Sequence, residues 1–237
     1  MKILINQKLL CVDAVVFDKD GTLIGNTETW KYIFQCYMDT AGEMKLNIAK
    51  EAKRLFGFPQ ALSYSPLVTY YAKEGITLLA ASIWLSHQKP WAECRDLASE
   101  IIKRSNARLD DTIVYHPNAG AVELIQKIST FVPVCIASSD NRENIQKMIH
   151  LLGIKDHITM IVTSDELEHG KPAPDILFHI ADSLHVAPQK LLYIGDNEVD
   201  LQTAKNAQAK CILLNHPSEE ADGTVDSLQE LTNKITL

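Results

Sequence analysis

Five short apolar runs, at residues 11–17, 131–137, 158–162, 191–195 and 210–214, dictate most of what this chain can become. Runs of this length, rich in Val, Ile and Leu, suit strands covered on both faces. From residue 114 onward they alternate with segments of helical spacing, at 119–129, 141–152, 174–184, 199–207 and 227–234. Strands alternating with helices imply an α/β fold, with a parallel sheet between two helical layers. Right-handed crossovers follow from strand twist.

Residues 25–113 break that rhythm. Helical patterns are expected at 27–40, 44–56, 65–85 and 89–106, with Gly75 a possible break in the third, and no comparable strand lies among them. The chain therefore divides into an α/β core, residues 1–24 and 114–237, and an all-helical insertion, residues 25–113. Trp30, Tyr37, Trp84 and Trp91 are expected in the core of the insertion, as aromatic residues on helices usually are.

Ligands of open α/β sheets bind beyond the carboxyl ends of the strands. Those ends carry Asp18 and Asp20, Ser138 and Ser139, and Asp196 with Asp200; Lys171 lies in the loop after the third strand of the alternating set. A parallel sheet brings all of them to one rim. Crowded carboxylates repel one another, and a hard divalent cation relieves that repulsion; Mg2+ suits a few carboxylates together with a substrate phosphate. A carboxylate can also act as a nucleophile and form an aspartyl-phosphate. Lys171 and the Ser138 hydroxyl are suited to the charge of a transferring phosphoryl group, and Asp20 to general acid–base work. Ser139 and Asn141 are expected to cap the next helix. Strand alternation turns Lys19 away from the acids, into a supporting role.

Taken together, Asp18-Lys19-Asp20-Gly21-Thr22-Leu23, Ser138 after a strand, Gly170-Lys171-Pro172-Ala173-Pro174-Asp175 and Gly195-Asp196 with Asp200 resemble the four motifs of haloacid dehalogenase-like phosphatases in order and interval. The likeness spans nearly the whole chain. It implies a Rossmann-like core, Asp18 as nucleophile and Asp20 as acid and base. It implies Ser138, Ser139 and Lys171 at the phosphate. Mg2+ would be held by Asp18, Asp196 and the carbonyl of Asp20, with Asp200 behind them or acting through water. The insertion resembles the cap of the phosphoglycolate phosphatase and β-phosphoglucomutase subgroup, although Gly25-Asn26 stands where close relatives place Asp-Ser or Asp-Thr.

The implied activity is a Mg2+-dependent phosphatase for a small phosphorylated metabolite, phosphoglycolate first. A sugar-phosphate mutase is the alternative, and a phospho-accepting regulatory module a more distant one. A net charge of −7 with no basic block disfavours nucleic acid as a partner. No segment approaches membrane-spanning length. Five cysteines, none in a Cys-x-x-Cys pair, suit buried thiols in a reducing compartment. A cytoplasmic location is expected. Monomer and homodimer are equally open. His87, His116 and His169 lack metal-ligand spacing, and Arg54, Lys73, Lys89 and Arg104 read as solvated helix charges.

Overall fold

The computed structural model describes residues 1–5, 8–25, 27–58 and 72–236. The chain divides into two compact units, Gly25–His116 and the remainder, Met1–Ile24 with Pro117–Leu237.

The inserted unit is helical: α1 (Thr27–Glu43), α2 (Ala49–Leu55), α3 (Ala72–His87), α4 (Trp91–Asn106) and the short α5 (Asp111–Val114). Its core takes Ile33, Phe34, Tyr37 and Ala41 from α1, Leu79, Ala80 and Ile83 from α3, and Cys94, Ala98 and Ile101 from α4. These follow the three- and four-residue steps of a helix buried along one stripe. Phe34 stacks on Phe58 at 4.4 Å and meets Phe56 edge-on at 5.8 Å.

Three sequence expectations need correction here. Trp84 and Trp91 are 50% and 46% exposed. Trp84 follows Ile83 and so points about 100° away from the buried stripe. Trp91 shares the stripe of Cys94 and Ala98 but sits at the open first position of α4. The expected helix at 44–56 also begins later, at Ala49, because Lys45 adopts a positive φ of 60°. Residues 65–71 of the third expected helix lie outside the described residues, as does Asn26. Gly75 stands inside α3 rather than breaking it.

The larger unit carries β1 (Lys2–Ile5), β2 (Lys8–Cys11), β3 (Ala14–Phe17), β4 (Val134–Ser138), β5 (Met160–Thr163), β6 (Leu191–Gly195), β7 (Lys210–Leu214), β8 (Gly223–Val225) and β9 (Ile235–Thr236). Its helices are α6 (Ala121–Ser129), α7 (Arg142–Leu151), α8 (Asp175–Leu184), α9 (Glu198–Asn206) and α10 (Leu228–Lys234). Six strands form one parallel sheet in the order β5-β4-β3-β6-β7-β8. Ala14 and Val16, Cys135 and Ala137, and Leu191 and Tyr193 face a cluster filled by Ile176, Leu177 and Ile180 of α8 and Leu201 and Ala204 of α9. The apolar residues of α6 and α7 take no part in that cluster, and these helices contact β4 and β5. The sheet is thus covered on both faces, which is why β3, β4 and β6 are buried at every position.

Four strands, β1, β2, β8 and β9, escaped sequence reading. The strand expected at 11–17 begins instead at Ala14, and Cys11 ends β2 on the other side of Val12–Asp13. There Val12 N–H donates to the Met1 carbonyl and Asp13 N–H to that of Lys190, both at 2.9 Å. β2 instead joins β1 and β9 in a separate antiparallel sheet, order β2-β1-β9. β8 and β9, three and two residues long, are too short to carry a period. The strand expected at 131–137 starts at Val134, since Pro133 has no N–H to give the ladder.

A Cβ added at Gly75 would meet nothing within 4 Å. Gly75→Ala is therefore expected to stabilise the chain by about 0.5–1 kcal/mol through the unfolded-state entropy of glycine, as measured by urea unfolding.

Candidate active site

The central strands β3 and β6 are neighbours, and both stop at acids. Their register sets Phe17 beside Ile194, so Asp18 and Asp196 leave the sheet at almost the same level. Asp18 N–H donates to the Ile194 carbonyl at 2.9 Å, which fixes the start of the loop. The loop then turns back at once. Gly21 has φ 87° and donates its N–H to the Ile24 carbonyl at 2.7 Å. A Cβ on Gly21 would lie 2.0 Å from Asp196 Oδ2. Only a residue without a side chain lets this turn and the second acid approach so closely.

Lys171 closes the cluster. Its Nζ donates to Asp18 Oδ1 at 2.7 Å, to Asp200 Oδ1 at 2.8 Å and to the Tyr193 hydroxyl at 3.0 Å. All three donor positions of the ammonium are used. Asp200 reaches this point because Asn197 caps α9, its side chain accepting from Val199 N and Asp200 N, which places Asp200 in the first turn. The other oxygen of Asp200 accepts from Asp196 N–H at 3.1 Å. Gly195 leaves room, since a Cβ there would come 2.4 Å from the Cβ of Asp200.

Three carboxylates, those of Asp18, Asp196 and Asp200, can put oxygens within 4.8 Å of one another. One ammonium faces them. Burial pushes the Asp18 carboxyl up to about 7; Lys171 pulls it down while Asp200 and Asp20 add to the rise. Burial raises Asp196 well above the carboxylate range, with Asp200 and Asp18 next in weight. Burial alone would lower Lys171, but Asp18 and Asp200 more than offset it, and the ammonium is held well above its ordinary range. A cluster of hard oxygens with surplus negative charge has the chemistry of a site for a small divalent cation. The donors present fit such an ion.

Asp20 stands apart from this knot. Its carboxylate accepts from Lys19 Nζ at 2.6 Å, and at 27% exposure its side chain has the access to solvent that Asp18, at 6%, lacks. Burial raises its pKa, against the pull of Lys19. Ser138 ends β4 beside the same loop, the register setting Phe17 against Ile136. Its Oγ accepts from Asp140 N–H at 3.1 Å, which leaves its proton for another acceptor. Ser139 is half-buried and does not cap α7. Asn141 does, accepting from Asn144 N–H at 2.9 Å. The capping expected of both residues therefore holds for Asn141 alone.

Sequence reasoning missed Tyr193 and Asn118. Tyr193 is buried in the middle of β6 and lends its hydroxyl to both Lys171 and Asp200. The signal was a lone tyrosine in an aliphatic strand. Asn118 gives its side-chain amide to the carbonyls of Gly21 and Thr22, at 3.1 and 3.0 Å, and so ties the acidic loop to the chain that returns after the insertion. No local pattern announces it. His116 is exposed and His169 is paired with Asp175 on the surface, both away from any metal-like grouping among the described residues.

A parallel sheet whose carboxyl edge gathers three carboxylates, a hydroxyl and one buried, paired lysine defines an α/β protein with an acidic cluster at its strand ends. The chain belongs to the haloacid dehalogenase-like hydrolase family, whose model matches residues 12–208. It is 21% identical over 204 residues to a phosphorylated carbohydrates phosphatase of Thermotoga maritima, covering 83% of this chain and 82% of that protein. It is 33% identical over 93 residues to a phosphoglycolate phosphatase of Nitrosococcus oceani, covering 36% and 41% of the two chains. Other curated relatives, from Arabidopsis thaliana, are longer, and the chain spans about a third of their length. A solved structure described as a putative β-phosphoglucomutase from Thermotoga maritima superposes with a TM-score of 0.68 at 19% identity, over 94% of this chain and 97% of that one, a likeness of fold. No described helix is long and apolar enough to cross a membrane.

Two outcomes follow from this geometry. Gly21→Ala is expected to cost about 1–2 kcal/mol for the left-handed backbone alone, and more as the new Cβ drives Asp196 aside; urea unfolding and a crystal structure of the variant measure both. The second concerns pH. Asp18 binds its proton more tightly folded than unfolded, so the native state holds more protons between the ordinary carboxylate range and about 7. Stability in chelator is then expected to fall as pH rises through that window. The urea midpoint at pH 5 and pH 8 checks the sign, and Asp18→Asn is expected to flatten the fall.

Proposed function

We propose that this chain is a phosphatase for a small phosphorylated metabolite, with phosphoglycolate the first candidate, that works through an aspartyl-phosphate on Asp18 and requires Mg2+. One observation carries the reading: a buried lysine, Lys171, bridges Asp18 and Asp200 at 2.7 and 2.8 Å from a loop 153 residues along the chain. Buried charges cost free energy unless paired, and a purely structural role does not call for a second, third and fourth acid beside them.

In this reading the Asp18 oxygen not held by Lys171 attacks phosphorus. The ester P–O bond breaks with its electron pair on the departing alkoxide, to which Asp20 gives its proton. Water then attacks the acyl phosphate and loses a proton to Asp20, and the Asp18 carboxylate leaves with inorganic phosphate as the product. Ser138 and Ser139 are assigned to the phosphoryl oxygens through their hydroxyls, and Lys171, whose protons are taken by Asp18, Asp200 and Tyr193, through its charge. Mg2+ would be held by Asp18, Asp196 and the backbone carbonyl of Asp20, and when bound it would supply positive charge to the transferring group. Asp200 is assigned behind these ligands, because both its oxygens already accept hydrogen bonds. Residues 25–113 are assigned as a cap that selects among leaving groups.

The test is phosphate release from phosphoglycolate and a panel of sugar phosphates, with Mg2+ and with chelator. Release that requires Mg2+ and falls about 1,000-fold or more in Asp18→Asn, as loss of a nucleophile produces, supports the reading. Full turnover in a folded Asp18→Asn protein overturns the nucleophile. Isomerisation of a sugar phosphate without net phosphate release shows a mutase instead.

A further inference from the structure

Lys19 separates the two leading acids, and strand alternation would send it to the far side of the sheet. β3 ends at Phe17, however, and beyond it the chain no longer alternates. Lys19 is 3% exposed. Its Nζ lies 2.6 Å from Asp20 Oδ1 and 3.1 Å from Asp140 Oδ2. A lysine is almost never so buried unless paired, and here two carboxylates pair it.

Asp140 is itself held. Its Oδ1 accepts from Asn141 N–H at 2.8 Å and from the Asn144 side-chain amide at 2.9 Å, which anchors it to the first turn of α7. Its own N–H donates to Ser138 Oγ. A continuous line therefore runs from α7 through Asp140 and Lys19 to Asp20, and it shares its loop with Ser138. Lys19 Nζ pairs with Asp20 and Asp140, whereas Asp18 and Asp200 pair with Lys171, so this is a second network beside the first.

We propose that Lys19 and Asp140 are positioning residues that hold the Asp20 carboxylate in place for its proton transfers, and that they link its placement to the loop bearing Ser138. The inference rests on the roles given above to Asp18 and Asp20. Its distinctive consequence is a split between the two halves of turnover. With a good leaving group the first half needs no proton, because the phenolate departs unaided. The second half still needs Asp20 to take a proton from water as the new P–O bond forms and the bond to Asp18 breaks. A misplaced Asp20 therefore slows dephosphorylation of the enzyme while leaving its phosphorylation intact.

The probe is p-nitrophenyl phosphate with Mg2+, followed by stopped-flow absorbance for the wild type, Lys19→Met, Lys19→Arg and Asp140→Asn. Lys19→Met is expected to show a burst of about one nitrophenolate per enzyme at a near-normal rate, then a steady state lowered about 100-fold, the lower end of what acid–base catalysis contributes. Lys19→Arg, which keeps the cation, is expected to recover most of that loss, and Asp140→Asn to fall between. Should Lys19→Met fail to fold, Lys19→Arg and Asp140→Asn, closer in shape, carry the test. Unchanged steady states in Lys19→Met and Asp140→Asn overturn the proposal, as does a burst slowed as much as the steady state, which marks general damage. If the wild type forms no nitrophenolate, the reading of Asp18 fails instead. Crystal structures of Lys19→Met and Asp140→Asn then decide the positioning separately: an Asp20 carboxylate that stays in place overturns it.

Discussion

A single ammonium group, that of Lys171, organises the carboxyl edge of the sheet. It is buried, it uses each of its three protons, and its partners come from the residue after β3, from β6 and from α9. None of those elements adjoins the loop of Lys171 in sequence. Such a contact is weak evidence for stability, because desolvating the charges offsets much of their attraction. Its consequence is specificity of arrangement. Removing one partner leaves an unpaired charge inside the protein, so the four segments must meet together or not at all.

The acids crowd further than one lysine can compensate. Asp18, Asp196 and Asp200 converge because two glycines leave space where any side chain would intrude. Gly21 clears the approach of Asp196, and Gly195 that of Asp200. Local backbone freedom thus sets up an electrostatic cost: burial first, and the neighbouring acids after it, raise the pKa of Asp18 and Asp196. A cation would relieve the repulsion, and in the proposed reading a phosphoryl group meets the lysine charge and the serine hydroxyl. A separate lysine, Lys19, serves the more open acid Asp20 with Asp140 as its brace.

Asp18, Asp20, Lys171, Asp196 and Asp200 were legible as a set because each ends or follows an apolar strand, and a parallel sheet gathers such ends on one rim. The strands Leu191–Gly195 and Lys210–Leu214 were legible to the residue, being continuous apolar runs with clear stops. What was not legible has a common cause. Tyr193 reads as one more buried strand residue until Lys171 lies beside it. Asn118 acts on carbonyls 96 and 97 residues away. Lys19 finds Asp140 across a gap that no periodicity spans. Trp84 and Trp91 were misjudged because hydrophobicity says that a side chain favours burial, not that the helix turns it inward.

By itself, the sequence determined the kind of layers, the order of strands and helices, the helical character of the insertion and which residue types end at the rim. These are matters of local propensity, period and turn chemistry, each set within a few positions of the chain. Tertiary structure alone decided which acid pairs with which lysine, which loop is tied by Asn118, and where the edge strands β8 and β9 attach. Those choices depend on groups brought together from distant segments, where distance and desolvation fix the partner and the chain records neither.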